Sequence, residues 1–497
     1  MKKTLLLTTA LTMGVAATFL LPVDHVHAED CLLDRDNDGV VDAGTDNDGN
    51  ANSNGINTRL ACGVNAEATG SSSTALGSSA QATGAQSVAI GNLAVGSAAD
   101  TVAVGQGADA IDTDSIAIGA DALVSGDNSI GLGDAAVVLA DDAIAIGADT
   151  SASGIGAIAI GFDANANSTD SIAIGNDALA DGNFTLAVGG GSSATVINAT
   201  AIGATAIADH ANSTALGYSA EVGADDATAV GTAANADGQG SVAVGFVSTA
   251  IGFNSIAIGE FSRADTDGSV AIGGDGGDSD GLGARATGAD STAVGADTEA
   301  SAIDSSAFGH SASATGNFAT AIGVDAAATN TSATALGVTA NAGLFSTALG
   351  AESKATGSLA TAVGFDANAS GDQATLLGAE ATASGLTSVA VGAFSQSLGT
   401  GSIAIGGDGS SSFFAGAQAT ADRAIAIGVT ALADQADALA LGSNTAATGI
   451  DATAVGSDSV ASGVSAAAFG TGTQALGQNS LALGAGAEAR EIQSSAI

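Results

Sequence analysis

The pentapeptide Ser115-Ile116-Ala117-Ile118-Gly119 recurs with small changes along most of the chain. Its terminal glycine returns every 14 residues from Gly77 to Gly273, and three later series bring the total to 29 copies. Each half of the 14-residue unit alternates in polarity and size, which is typical of a short β-strand. The glycines and the Asp, Asn and Ser residues between the halves favour turns. The sequence therefore predicts a stack of coils, each with two strands and two turns.

The two faces of the first strand suggest that another surface covers the stack of coils. We expect Ile116 and Ile118 to fill the coil interior, and Ser115, Ala117 and Gly119 to point the other way. These outward residues are too small and apolar for a water-facing surface, so the second side should be covered as well. Coils at a spacing of about 4.8 Å predict a rod of roughly 140 Å. We expect sister chains to cover the small-residue face along that rod.

Composition and charge restrict the function. The chain has 497 residues, 72 of them Gly, and its aromatic content of 3% leaves little for a conventional core. Its formal net charge of −43 excludes nucleic acid as a partner by repulsion. A solvated, self-repelling surface accounts for this acidity, with divalent cations or a basic ligand as the alternatives.

The N-terminus has the features of a secretory signal peptide over residues 1–28. Lys2 and Lys3 precede an apolar run from Leu5 to Leu21, and Val26-His27-Ala28 fits a cleavage site. The mature chain is expected to begin near Glu29, and no later segment has 18 uninterrupted apolar residues. The sequence therefore predicts export.

The Ser-Ile/Val-Ala-Ile/Val-Gly unit at a spacing of 14 residues resembles the head repeat of the trimeric autotransporter adhesins, the YadA-like family, over residues 64–497. The resemblance implies an all-β fold, a left-handed parallel β-roll (solenoid), assembled as a homotrimer. It also implies display at the outer membrane of a Gram-negative bacterium and a role in virulence. The head (passenger) region would attach to extracellular matrix proteins, host cells, surfaces or sister bacteria without catalysis. Neither the ligand nor the residues that bind it can be named from the sequence.

The resemblance also sets an expectation for the end of the chain. In the family a neck, a coiled-coil stalk and a membrane anchor follow the head, whereas here Ser494-Ser495-Ala496-Ile497 stops one residue short of a full repeat. We expect a truncated gene, with a secreted protein that has no anchor as the alternative. Contact with the membrane would run only through the missing anchor.

Residues 29–63 differ from the repeats and are rich in aspartate. Carboxylates at alternate positions followed by glycine wrap a loop around a hard cation, which predicts structural Ca²⁺, the single cofactor that we expect. A disordered acidic linker is the alternative. The candidate metal ligands are Asp34, Asp36, Asp38, Asp42, Asp46 and Asp48.

Cys31 and Cys62, the two cysteines of the chain, bracket this segment. Because the chain is predicted to be exported, we expect them to form a disulfide bond. The bond would close a loop of about 30 residues and stabilise it by a few kcal/mol.

Two spacings of 22 residues interrupt the ladder, from Gly273 to Gly295 and from Gly406 to Gly428. Insertions in a solenoid map to surface loops, often on the binding face. We expect such loops near residues 274–290 and 407–423. The adjacent Phe413 and Phe414 of the second loop are either a contact patch or packed against the roll.

The sequence has few side chains suited to catalysis, so we expect no enzymatic activity and no catalytic residues. After the signal peptide the histidines are His210 and His310, and Lys354 is the only lysine. The alternative to an adhesin is a structural spacer or biofilm scaffold rod without a specific ligand. Ice or mineral binding is disfavoured, because the variable positions do not repeat one residue type strictly enough.

Overall fold

The structure is a computed structural model that describes residues 50–497 apart from residues 55, 57, 278–280 and 410–415. Its described residues form strands, turns and irregular segments, without a helix. The described part of the chain accordingly has no helix long and apolar enough to cross a membrane. The chain divides into two compact units, residues 1–142 and residues 143–497, and each is considered by itself.

Two kinds of very short strand alternate along the chain. The odd-numbered strands form a long-strand row and have three residues, except for the last, which has two; the even-numbered strands form a short-strand row and have two residues. The first unit contains β1 (Leu60–Cys62), β2 (Glu67–Ala68), β3 (Thr74–Leu76), β4 (Gln81–Ala82), β5 (Val88–Ile90), β6 (Val95–Gly96), β7 (Val102–Val104), β8 (Asp109–Ala110), β9 (Ile116–Ile118), β10 (Leu123–Val124), β11 (Ile130–Leu132) and β12 (Val137–Val138).

The second unit continues the same alternation. It contains β13 (Ile144–Ile146), β14 (Ser151–Ala152), β15 (Ile158–Ile160), β16 (Asn165–Ala166), β17 (Ile172–Ile174), β18 (Leu179–Ala180), β19 (Leu186–Val188), β20 (Ser193–Ala194), β21 (Thr200–Ile202), β22 (Ile207–Ala208), β23 (Thr214–Leu216), β24 (Glu221–Val222), β25 (Thr228–Val230), β26 (Asn235–Ala236), β27 (Val242–Val244), β28 (Thr249–Ala250), β29 (Ile256–Ile258), β30 (Arg263–Ala264), β31 (Val270–Ile272), β32 (Arg285–Ala286), β33 (Thr292–Val294), β34 (Glu299–Ala300), β35 (Ser306–Phe308), β36 (Ser313–Ala314), β37 (Thr320–Ile322), β38 (Ala327–Ala328), β39 (Thr334–Leu336), β40 (Asn341–Ala342), β41 (Thr347–Leu349), β42 (Lys354–Ala355), β43 (Thr361–Val363), β44 (Asn368–Ala369), β45 (Thr375–Leu377), β46 (Thr382–Ala383), β47 (Val389–Val391), β48 (Gln396–Ser397), β49 (Ile403–Ile405), β50 (Gln418–Ala419), β51 (Ile425–Ile427), β52 (Leu432–Ala433), β53 (Leu439–Leu441), β54 (Ala446–Ala447), β55 (Thr453–Val455), β56 (Val460–Ala461), β57 (Ala467–Phe469), β58 (Gln474–Ala475), β59 (Leu481–Leu483), β60 (Glu488–Ala489) and β61 (Ser495–Ala496).

Within each unit, strands of one row pair in parallel with the equivalent strands of the next coil. Ile116 pairs with Ile130 in the first unit, and Ile158 pairs with Ile172 in the second, each 14 residues apart. Equivalent side chains therefore stack directly on one another from coil to coil. The prediction of a parallel β-solenoid with 14-residue coils is confirmed.

Coils of other lengths keep the same register. Arg263 pairs with Arg285 across a 22-residue coil, and Asn341 pairs with Lys354 across a 13-residue coil. The additional and missing residues therefore lie in the connections, and the strands continue in phase on either side.

The turns explain why glycine, Asp and Asn recur. Asp121 and Asn128, one in each turn of a coil, have φ values of 51° and 56°, a left-handed conformation that Asp and Asn tolerate better than most residues. Gly119, at the end of β9, has φ 145°, and a Cβ there would lie 1.9 Å from the carbonyl oxygen of Gly133 in the next coil. Only glycine allows the coils to stack this closely.

The interior of each coil is filled by small side chains. The middle residue of each long-row strand from β1 to β59 is buried, and so is the second residue of each short-row strand. Several buried hydroxyls donate to turn carbonyls. Ser87 donates to the carbonyl oxygen of Gly84 at 2.7 Å, and Thr185 donates to that of Gly182 at 2.6 Å. These bonds close the turn from inside while adding little volume.

The predicted orientation of the first strand is wrong. Ser115 and Ala117 are fully buried inside the coil, whereas Ile116 is half-buried and Ile118 is 36% exposed on the outside. The interior accepts alanine-sized groups because the two rows lie close together. The outward face of the long-strand row is therefore aliphatic, and the small residues Ser115 and Ala117 do not lie on it.

Gly131, in the middle of β11, shows how little room the interior has. A methyl group on it would lie 2.6 Å from Cγ2 of Val124 and 3.6 Å from Cγ2 of Val138. These valines occupy the interior position of the short-strand row, where alanine is usual. In these coils the larger side chains of the short-strand row thus face a smaller residue on the long-strand row.

Candidate interaction surfaces

The first candidate surface is the aliphatic face, which we define as the first and third residues of the long-row strands. None of the 31 strands of this row contains Asp, Glu, Lys or Arg, although the chain carries a net charge of −43. Many of its aliphatic residues are more than a third exposed, among them Leu132, Ile174 and Ile272. In each unit this leaves a continuous uncharged strip, mainly of Ile, Val, Leu and Thr, that is partly exposed in the single chain.

The second candidate surface is the polar face, which we define as the first residues of the short-row strands. Eight of its 30 strands contain a charged residue, and neighbouring coils differ in residue type. Lys354 of this face forms an exposed ion pair with Asp366, with 3.6 Å between Nζ and Oδ1. This face is the variable side of the solenoid.

Asp109 is an exception on the polar face, because it lies between Val95 and Leu123 of the neighbouring coils. Its Oδ1 is buried without a hydrogen-bond partner. Burial raises the pKa of this carboxyl above the ordinary value for aspartate. The charge at this position is a cost to the fold.

Polar ladders follow the two turn edges. Asn198 donates to Asn212 at 2.9 Å, and Asn212 donates to Asp226 at 3.0 Å, each one coil further along. On the same edge Arg423 donates to Asp437 through two nitrogens. This hydrogen bonding raises the pKa of Arg423 and lowers the pKa of Asp437. The ladders link successive coils on the surface.

The first 22-residue connection is anchored to the next coils. The backbone N–H of Gly276 donates to Oδ1 of Asp297 at 3.1 Å, and Oδ2 of the same carboxylate lies 3.5 Å from Nε2 of His310. The N–H of Gly283 donates to the carbonyl oxygen of Phe261 at 3.3 Å where the connection rejoins the solenoid. Both described ends of this insertion are therefore fixed against the surface.

A pocket of about 240 Å³ lies where this connection returns. Two arginines of the polar face, Arg263 and Arg285, stand side by side in its wall. Phe261 is also part of the wall, and its ring meets the ring of Phe246 edge to face, with ring centroids 5.4 Å apart. The other residues around the pocket are Val247, Thr249, Ser262, Gly281 and Leu282.

The second 22-residue connection rejoins the solenoid in the same way. The N–H of Gly416 donates to the carbonyl oxygen of Phe394 at 3.1 Å, as Gly283 does to Phe261. At the corresponding positions of the polar face, Gln396 pairs with Gln418. The two connections thus share an anchoring geometry and differ in charge.

The residues predicted to bind calcium lie outside the described residues, as do Cys31, Phe413 and Phe414. The calcium site therefore stays a prediction. Cys62 is disulfide-bonded, and its predicted pairing with Cys31 also stays a prediction.

The histidines lie on separate coils. His310 faces Asp297, whereas Nδ1 of His210 is buried without a hydrogen-bond partner. Across residues 50–497, gaps excepted, no group of three or more His, Cys, Asp or Glu side chains is placed to hold a metal ion. The sequence reasoning missed the pairing of Arg263 with Arg285, although their equivalent positions in the repeat carried that signal.

A parallel β-solenoid with one constant aliphatic face and one variable polar face is a repeat protein that presents extended surfaces. The family profile of the YadA head domain repeat matches most of this chain. Its matches, each two copies long, cover residues 68–94, 97–122, 125–150, 152–178, 166–192, 180–204, 194–220, 223–248, 250–275, 281–298, 300–326, 342–367, 355–381, 383–408, 417–445, 447–473 and 475–497.

The chain belongs to the YadA-like trimeric autotransporter adhesin family. It is similar to the collagen-binding domain of the Yersinia adhesin YadA, a crystal structure, at 30% identity. The match covers 31% of this chain and 69% of that one, with a TM-score of 0.20. No curated protein sequence matches the chain. The repeats define an adhesin-type passenger domain, in a family of surface-exposed bacterial adhesins that is generally non-enzymatic.

Proposed function

We propose that the chain is the head (passenger) region of a bacterial surface adhesin and that it attaches cells to host matrix, host cells or other surfaces without catalysis. The observation that carries the proposal is the division of each coil into a constant aliphatic side and a variable polar side. A surface that varies from coil to coil offers many weak contacts, and their combined strength exceeds that of any one contact. Membership of the adhesin family supports the same function.

The aliphatic face is the proposed interface of a homotrimer. Two aliphatic or Thr side chains per coil are partly exposed on it, and covering them would contribute on the order of 2 kcal/mol per coil. The energy repeats along the row, so a lengthwise contact between copies would be strong although each coil adds little. An uncharged strip on an otherwise acidic protein fits this use, because a charge buried between copies is costly.

The proposed partner is an extracellular matrix protein, a host cell or another surface. The similar Yersinia domain is described as collagen-binding. With a net charge of −43, this chain favours a basic partner surface through long-range attraction. We further propose export to the cell surface at the outer membrane of a Gram-negative bacterium, with structural Ca²⁺ bound by the aspartates at positions 34–48.

Attachment of purified protein to immobilised matrix proteins tests the proposal. Deleting residues 172–199 removes two whole coils and keeps the 14-residue phase, so the shortened protein should still fold. We expect attachment to weaken gradually as further two-coil blocks are removed, and to weaken with salt if the charge contributes.

The alternative is a spacer or biofilm scaffold rod, which the regularity of the coils favours. A spacer would show no attachment of its own at any number of coils. Substitutions on the polar face would then leave cell attachment unchanged, while shortening the chain would alter only how far other molecules are held from the cell.

A further inference from the structure

The two 22-residue connections provide an internal comparison. The coil before each connection has a Phe-Ser pair in one turn, and each connection rejoins the solenoid through the same backbone hydrogen bond to that phenylalanine. Only the first connection has arginines, Arg263 and Arg285, at the adjoining polar-face positions, whereas the second has Gln396 and Gln418. The shared anchoring is therefore structural, and the arginine pair is an addition to it.

The arginine pair is unfavourable for the fold alone. Like charges directly opposite each other in neighbouring strands destabilise a sheet. Arg263 is held by Asp265, to which its Nε donates at 2.6 and 2.7 Å. Arg285 is half-buried and forms no ion pair or hydrogen bond with any described residue. Glu299 is its neighbour on the other side, but among the described residues no carboxylate oxygen lies within 4.0 Å of the guanidinium.

The pocket beside the pair has the walls of a small ligand site. Phe261 is an aromatic residue of the pocket wall, and its ring is held by an edge-to-face contact with Phe246 at 84°. Thr249 adds a hydroxyl, while Val247 and Leu282 add apolar contacts. A volume of about 240 Å³ is smaller than a typical drug-sized pocket and suits one monosaccharide.

We propose that this pocket binds a terminal sugar residue that carries a single carboxylate, with the carboxylate on Arg285 and the apolar face of the sugar ring on Phe261. Guanidinium and carboxylate groups match in geometry and form charge-assisted hydrogen bonds. The net charge of −43 repels a polyanion at long range, so an isolated anionic group on an otherwise neutral glycan fits better than a sulfated or phosphorylated polymer. The sugar-binding site is inferred from the pocket itself, and only its biological use rests on the proposed attachment function.

Titration of the full chain with methyl β-D-glucuronide, followed by saturation-transfer NMR, tests the proposal. We expect saturable binding, at least about tenfold stronger than that of methyl β-D-glucoside, which has the same ring without the charge. Arg285→Gln gives the first connection the residue found at the second, and it should weaken glucuronide binding by about tenfold or more. Arg490→Gln changes the net charge equally at a distant ion pair with Glu488 and should leave binding unchanged.

Several outcomes would overturn the proposal. These are the absence of saturable glucuronide binding, equal affinity for the glucoside, or equal losses in Arg285→Gln and Arg490→Gln. Equal affinity for acetylglycine would show a general carboxylate site and end the assignment to a sugar. Circular dichroism checks that both variants are folded.

The titration uses purified protein in solution, so its result is independent of the attachment assay. Attachment without glucuronide binding would rule out this site alone, and glucuronide binding without attachment would rule out the proposed function.

Discussion

The two outward faces of a coil share one backbone and one alanine-filled interior, yet they differ in charge and in variability. The aliphatic face has no charged residue in 31 strands, while the polar face has eight in 30. Both project from very short parallel strands of a strongly acidic chain. Water alone would accept charge on either face, so the difference supports the proposal that the aliphatic face contacts another copy of the chain.

The comparison predicts that charge on the aliphatic face will break association. We expect the combined substitutions Ile158→Asp, Ile172→Asp and Leu186→Asp to lower the association constant between copies by more than about a hundredfold, because each buried, unpaired carboxylate costs several kcal/mol. Sedimentation equilibrium of the full chain measures the effect.

The matched control places the same charges on the polar face of the adjoining strands. Asn165→Asp, Leu179→Asp and Ser193→Asp should leave the mass of the assembly unchanged. If both triple variants associate like the parent protein, or if the parent is a monomer, the aliphatic face is not the interface.

A smaller effect is expected from the interior that both faces share. Gly131→Ala would place a methyl group 2.6 Å from Cγ2 of Val124, and we expect it to destabilise the surrounding coils by about 1–3 kcal/mol. Hydrogen exchange of the amides in β9–β12 measures this locally, which suits a solenoid whose unfolding need not be all-or-none.

The companion variant sharpens the test of the interior. In a Val124→Ala background, Gly131→Ala should cost much less, because the contact that opposes it has been removed. Equal costs in the two backgrounds would show that the two rows do not restrict each other's volume.

The smallest effect concerns the cost of one charge on the polar face. Because burial raises the folded-state pKa of Asp109, its protonated form is favoured in the fold, and stability falls as the pH rises through that pKa. We expect Asp109→Asn to raise the melting temperature at pH 7 and to have little effect below the ordinary pKa of aspartate. Asp114→Asn in the exposed turn controls for the change in net charge, and an equal gain there would assign the effect to general repulsion.

The repeat made most of the fold predictable. The glycines that return every 14 residues indicated turns, and the structure adds that a Cβ on Gly119 would meet the next coil. The strand positions and the parallel register followed from the same period. The period did not reveal which residues of each strand point inward. A pattern that alternates with period two allows either set of side chains to face the interior, and exchanging the faces reverses every side chain.

The candidate sites were less accessible to sequence reasoning. Arg263 and Arg285 are 22 residues apart, and they become neighbours only because the extra residues leave the strand register intact. His210 and His310 drew attention as rare residues, but they lie on separate coils. Two residues of neighbouring coils lie side by side when they occupy the same position in the coil. An insertion changes the number of residues between them, so their spacing in the sequence does not reveal the contact.

The sequence by itself determined the period, the strands, the turns and the family, because each depends on local backbone preferences repeated many times. Only the tertiary structure decided that alanine and serine point inward while isoleucine and valine point outward. The close approach of the two strand rows set that choice: once the short turns bring the rows together, the interior holds mostly alanine-sized groups, and most of the larger aliphatic side chains lie on the outside.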